Sequence, residues 1–111
     1  MPKDYRVYLD DIVEAIDKIH DYTKGLSLAS FANDSKTIDA VNRNFGIIGE
    51  AANRIPNEIK AKHSNIEWHR INGLRNILIH DYSNVDLEVI WDIIENKLIL
   101  FETQIKELYQ E

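Results

Sequence analysis

Asp86-Leu87-Glu88-Val89-Ile90-Trp91-Asp92-Ile93-Ile94-Glu95-Asn96-Lys97-Leu98-Ile99-Leu100-Phe101-Glu102-Thr103-Gln104-Ile105-Lys106-Glu107-Leu108 is the stretch that decides the fold class. Leu87, Ile90, Trp91, Ile94, Leu98, Phe101, Ile105 and Leu108 recur every three or four positions, which is the period of an α-helix. The stripe predicts one helix, continuous for six turns, with Asp86 as its N-cap. The same period runs upstream. Trp68, Ile71, Leu74 and Leu78 predict a helix capped by Asn65. Pro56 is placed to begin a short helix as its first residue, ending near His63-Ser64. Ile38, Val41, Phe45, Ile48 and Ala52 form one face of a long helix starting near Ser35, a good N-cap, and ending near Ile55, and Ala40, Ile47 and Ala51 widen that face. Tyr5, Leu9, Ile12, Ile16 and Ile19, joined by Val13, predict a first helix from about Asp4 to Tyr22, closed by Gly25. Ser27-Leu28-Ala29-Ser30-Phe31 reads as a possible helical turn. No alternating run reads as a strand.

The expectation is therefore all-α: an up-and-down helical bundle of four main helices plus one or two short ones, with antiparallel packing set by the short connections. The 111 residues make one domain, and 44% hydrophobic residues suffice for a single core. Gly46 and Gly49 lie inside the second long helix, where each costs about 1 kcal/mol relative to alanine. Close packing there, by another helix or a second subunit, is the expected reason.

Cysteine is absent, which removes disulfides, thiolate nucleophiles and thiolate metal sites and suits a reducing cytosol. Met1-Pro2-Lys3-Asp4-Tyr5 holds no apolar run to serve as a signal peptide, and no stretch approaches a membrane span, so a cytoplasmic protein is expected. Net charge is −6, which argues against indiscriminate binding to nucleic acid. The charge is unevenly spread. Residues 53–80 hold five bases (Arg54, Lys60, Lys62, Arg70, Arg75) against two acids (Glu58, Glu67), between acidic ends. That middle is either a solvated face or an anion site. His63 and His69 lie in it, but their spacing of six matches no common zinc pattern, and both are expected to face solvent or add to the basic patch. No metal or other cofactor is expected.

The segment that carries chemistry is Arg75-Asn76-Ile77-Leu78-Ile79-His80-Asp81-Tyr82. Asn76 and His80 are four apart and share a helical face, whereas Arg75 and His80 are five apart, so their directions differ by about 140°. The two converge if the last turn unwinds, or if two copies of the segment meet across a dimer. These residue types suit metal-free RNA cleavage. A ribose 2′-OH attacks the adjacent phosphorus, and histidine, which titrates near neutrality, removes or supplies the proton. A guanidinium fork stabilises the charge gathering on the phosphoryl oxygens. Asn76 can orient the imidazole or hold a phosphate. The competing account is structural, with Arg-Asn bridging helices and His80 answering a helix dipole. Trp68 and Trp91 read as core or dimer contacts, though an exposed tryptophan beside the site could stack a base. Glu50 is either a buried polar residue needing a partner or a solvent-facing carboxylate.

The Arg-x4-His spacing resembles the signature of the HEPN superfamily, and the segment as a whole resembles the HepT toxins of HepT–MntA toxin–antitoxin systems. Three further stretches fit that pattern: Asn44-Phe45-Gly46-Ile47-Ile48-Gly49-Glu50-Ala51-Ala52; Ile66-Glu67-Trp68 leading to Ile71-Asn72-Gly73-Leu74-Arg75-Asn76; and Val85-Asp86 leading to Ile90-Trp91. The resemblance spans Tyr8 to Leu108. It implies a homodimer that brings two Arg-x4-His motifs into one cleft and acts as a metal-independent endoribonuclease. By the same resemblance Arg75, His80 and Asn76 are the catalytic set. Tyr82 is the tyrosine that receives AMP from an MntA-like nucleotidyltransferase antitoxin, in a hetero-oligomer whose stoichiometry stays open. The added phosphate and nucleotide would repel and block RNA. The alternative is a noncatalytic HEPN-type module that binds a nucleotidyltransferase; a purely structural dimer leaves the polar cluster unexplained.

Overall fold

The computed structural model describes residues 4–111, so the signal-peptide reading of the N-terminus falls partly on residues 1–3, outside the described region. Seven α-helices and two short 3₁₀ turns follow one another, and no strand occurs among the described residues. The helices are α1 (Arg6–Thr23), α2 (Leu28–Ala32), α3 (Ser35–Arg54), α4 (Asn57–Lys62), α5 (Trp68–His80), α6 (Leu87–Asn96) and α7 (Leu98–Glu107). The 3₁₀ turns are Tyr82–Asn84 and Leu108–Gln110.

α3 is the central element. It packs on α1 along one side and on α5 along the other, while α7 returns against α1 and α6 meets α2. The predicted stripes are the ones buried: Leu9, Ile12, Ile16 and Ile19 from α1, and Val41, Phe45, Ile48 and Ala52 from α3. Each fully buried isoleucine or leucine contributes about 1.5–3 kcal/mol by leaving water. Phe31, fully buried on α2, meets Trp91 of α6 with ring centroids 5.1 Å apart. Tyr5 Oη donates to the Leu108 carbonyl at 3.0 Å and ties α1 to the turn after α7.

Local chemistry explains the boundaries. Gly25 has φ +79°, the left-handed conformation that lets the chain leave α1 after Lys24. Ser27 and Ser30 form a reciprocal capping box that makes the ambiguous segment a real helix, α2. Asp86 caps α6 as expected, its carboxylate accepting from Glu88 N at 2.9 Å.

Four details differ from the sequence reading. The cap of α3 is Asp34, which accepts from Thr37 N at 3.1 Å, and Ser35 is the first helical residue. Pro56 stands at the N-cap of α4, with Asn57 the first helical residue. α5 begins after Glu67, not at Asn65, and the Glu67 side chain caps no backbone N–H. Ile66 is buried, and Trp68 Nε1 donates to the His63 carbonyl at 3.1 Å, so core anchoring rather than a polar cap starts this helix. The expected six-turn final helix is two helices that meet at Lys97, whose φ of −125° departs from helical geometry. The buried stripe Ile90, Ile94, Leu98, Ile105 runs across the break. Periodicity therefore could not show it.

Candidate functional site

α5 is unlike the other long helices. It has no fully buried residue, and it rests mainly on α3. Its contact face carries Arg75 into the α3 seam. A Cβ added at Gly49 would lie 2.5 Å from Arg75 Cβ, so the two helices approach as closely as they do because residue 49 has no side chain. The next residue on α3, Glu50, receives the guanidinium. Arg75 Nε donates to Glu50 Oε1 at 2.9 Å, and Nη2 donates to the same oxygen. Arg75 Nη1 donates to Asn76 Oδ1 at 3.4 Å. Three of the guanidinium's five N–H groups are thus engaged within the chain, and two remain for an anion.

The helix continues without unwinding to His80. The angular separation of Arg75 and His80 therefore stands at about 140°. Arg75 is half-buried against α3, while Asn76 and His80 are exposed. Asp81 ends the helix, its N–H still bonded to the Ile77 carbonyl at 2.9 Å. The 3₁₀ turn that follows, braced by Asn84 Nδ2 donating to Asp81 Oδ1 at 2.7 Å, folds Tyr82 back toward α3. There the phenol donates to Asp39 Oδ1 at 2.7 Å and accepts from Asn42 Nδ2 at 3.5 Å. The residue stays 48% exposed.

Two of the five bases in the basic middle are paired. Arg70 pairs with Glu67 at 2.8 Å, Arg75 with Glu50, and Lys60 lies 5.7 Å from the Trp68 ring centroid. Burial lowers the Lys60 pKa. Arg54 and Lys62 have no ion pair among the described residues. His63 departs from expectation. It is half-buried, with Nε2 3.3 Å from Glu111 Oε1, and does not face solvent. His69 is exposed. Trp68 and Trp91 are half-buried members of the core margin.

Sequence reasoning named Arg75, Asn76, His80 and Tyr82 but left Glu50 undecided and missed Asp39 and Asn42. Glu50 is the counter-ion of Arg75 across 25 residues, and Asp39 is the acceptor for Tyr82 across 43. The only local signal was Gly49, whose cost inside a helix announced a close neighbour.

An all-helical domain with an arginine, an amide and a histidine at the end of one helix defines a class of protein, and comparison with known sequences names it. The ribonuclease HepT-like family model matches residues 12–108, and the chain belongs to that family. The chain is 39% identical over 98 residues to the "Probable ribonuclease HepT" of Thermococcus cleftensis, covering 88% of this chain and 89% of that one. It is 36% identical over 106 residues to a "Putative RNase" of Caldanaerobacter subterraneus subsp. tengcongensis, covering 96% and 95%. A protein of the same designation from Methanocaldococcus jannaschii is 37% identical over 112 residues, covering 100% of this chain and 93% of its own length. No solved structure matches the chain. No helix is long and apolar enough to cross a membrane among the described residues.

Proposed function

We propose that this protein is a metal-independent endoribonuclease, the toxin of a toxin–antitoxin pair, working as a homodimer and silenced by adenylylation of Tyr82. The observation that carries this reading is the geometry of α5. It holds Arg75 with two uncommitted N–H groups and presents His80 to solvent, on directions that one chain does not bring together. A site made by two chains resolves that geometry, with the arginine of one serving the histidine of the other.

In such a site His80 takes the proton of the ribose 2′-OH as that oxygen attacks the adjacent phosphorus. The 5′ oxygen of the next nucleotide leaves and takes its proton from water. Arg75 stabilises the phosphoryl oxygens with charge-assisted hydrogen bonds, and Glu50 fixes the direction in which the guanidinium points. Asn76 is in the cluster through Arg75 Nη1 and orients the phosphate or the imidazole. The products are a 2′,3′-cyclic phosphate and a 5′-OH.

Silencing follows from the Tyr82 phenol. Its oxygen attacks the α-phosphorus of ATP held by a partner nucleotidyltransferase, pyrophosphate leaves, and the proton passes to the carboxylate already bonded to it, Asp39. The result is a negative phosphodiester and a nucleoside beside the RNA cleft.

The decisive experiment compares RNA cleavage by wild type and His80→Ala in the presence of EDTA. Cleavage by wild type alone, leaving cyclic phosphate ends, is the expected result. No cleavage by protein whose mass shows it to be unmodified would instead support a noncatalytic module that binds a nucleotidyltransferase. Incubation with partner and ATP should add mass in whole adenylate units, and Tyr82→Phe should abolish the gain. An unchanged gain in that variant would move the modification elsewhere.

A further inference from the structure

The bundle is not closed on every side. α1 packs on α3 and α7, and α6 meets α2, but among the helices α5 has extended contact with α3 alone. Between α5 and the junction of α6 with α7 lies a pocket of about 390 Å³, within the range of small-ligand sites. Phe45 and Ile48 of α3 line it, together with Ile71 and Leu74 of α5 and Leu98 and Phe101 of α7. Ile71, Leu74 and Phe101 are only half-buried, because the side they turn to this gap has no protein against it. Apolar atoms that border a gap forgo the dispersion contacts a filled core would give them. The same gap accounts for α5 having no fully buried residue.

The polar part of the lining is uneven in charge. It holds two cations, Arg70 and Lys97, and one carboxylate, Glu67. Arg70 and Glu67 answer each other at 2.8 Å. Lys97 does not have so close a partner. Its nearest carboxylate is Asp92 at 4.0 Å, the outer limit of an ion pair, and Asp92 already accepts from Asn96 Nδ2 at 2.7 Å. Lys97 is therefore the under-used charge of this pocket, and it stands at the break between α6 and α7.

An apolar chamber edged by one such ammonium suits an apolar molecule with a single anionic end. A neutral molecule would leave Lys97 unanswered, and a cationic one would be repelled by it. We propose that this pocket binds a medium-chain carboxylic acid, with its hydrocarbon chain between α5 and α7 and its carboxylate on Lys97. The bound chain is the packing partner that α5 lacks on this side, so occupancy steadies the helix that carries Arg75.

The test is titration of the intact protein with octanoate, followed by calorimetry and backbone amide shifts. Octanoate should shift the amides of Ile71, Leu74, Leu98 and Phe101 and raise the melting temperature as it saturates. Affinity should rise about fourfold for each methylene added between hexanoate and octanoate, the transfer preference of one buried CH₂. Octanol and octylammonium should bind more weakly. The chain's net charge of −6 works against any anion at a distance, so a preference for octanoate over octylammonium has to come from the pocket. Lys97→Glu, which turns an attraction into a repulsion at an exposed position, should weaken octanoate about tenfold. Gln104 is half-buried in the lining and its side chain makes no hydrogen bond. Gln104→Trp should fill the pocket and abolish binding. Octylammonium or octanol binding as tightly as octanoate overturns the proposal, as does unchanged affinity in Lys97→Glu. Shifts centred on the exposed Ile77 and Ile79 overturn it too, because they would mean adsorption to the outer surface of α5. Wild type that binds no octanoate overturns it as well; if that protein self-associates and Gln104→Trp dissociates it, the pocket belongs to a second copy of the chain.

Discussion

Gly46 and Gly49 look alike in sequence and differ in consequence. At Gly49 an added methyl meets Arg75 Cβ, a backbone-linked atom that cannot swing aside. Gly49→Ala should therefore destabilise the protein by about 1–3 kcal/mol, the cost of overpacking, and push Arg75 off Glu50. Gly46→Ala should stabilise by about 1 kcal/mol, since only the helix preference changes. Denaturant unfolding of the two variants checks the pair, and effects of the same sign would contradict the geometry. The residue scale is also where sequence reading found its limits. Arg75, Asn76, His80 and Tyr82 stood out because they crowd into one octet. Glu50 and Asp39 did not, because their partners lie 25 and 43 residues away and a lone carboxylate on a helix looks like solvent-facing charge.

The helices were legible wherever an apolar stripe met a recognisable stop. α1 and α3 bury most of the positions their period marks, with Tyr5, Val13, Ile38 and Ile47 half-buried, and Gly25 ends α1 by the backbone freedom it was expected to supply. What failed was punctuation without a polar or glycine signal: the start of α5 is set by burial of Ile66, and the break at Lys97 leaves the stripe intact. The cap of α3 offers a test at this scale. Asp34 accepts from Thr37 Oγ1 at 2.7 Å as well as from Thr37 N, and these bonds hold its pKa below the usual carboxylate value, the hydroxyl contributing most. A carboxyl with a depressed folded-state pKa stabilises fully above its unfolded pKa and loses that contribution as pH falls through the folded value. The melting-temperature gap between wild type and Asp34→Ala should accordingly be full at neutral pH and close in acid. A gap independent of pH would mean that Asp34 caps without its charge.

At the scale of the whole molecule, α5 explains why one chain reads as incomplete. A helix with no fully buried residue, carrying Ile77 at 43% and Ile79 at 49% exposure, keeps apolar surface in water that a second copy would cover. The same helix points Arg75 and His80 about 140° apart. Both features fit the proposed two-fold dimer, in which each cleft would take its arginine from one chain and its histidine from the other, because a two-fold interface that brings one residue against a second on the partner brings the reciprocal pair together as well. Mixing decides this. Arg75→Ala and His80→Ala chains should each be inactive alone. Unfolded together and refolded in equal amounts, half of the dimers are mixed, and each mixed dimer has one cleft with both residues intact and one with neither. Activity should return to about one quarter of wild type, the product of those two halves. Sites contained within a single chain would give no recovery at any ratio. A recovery that tracks the mixed-dimer fraction as the ratio is varied would tie the nuclease to the pairing of two α5 helices.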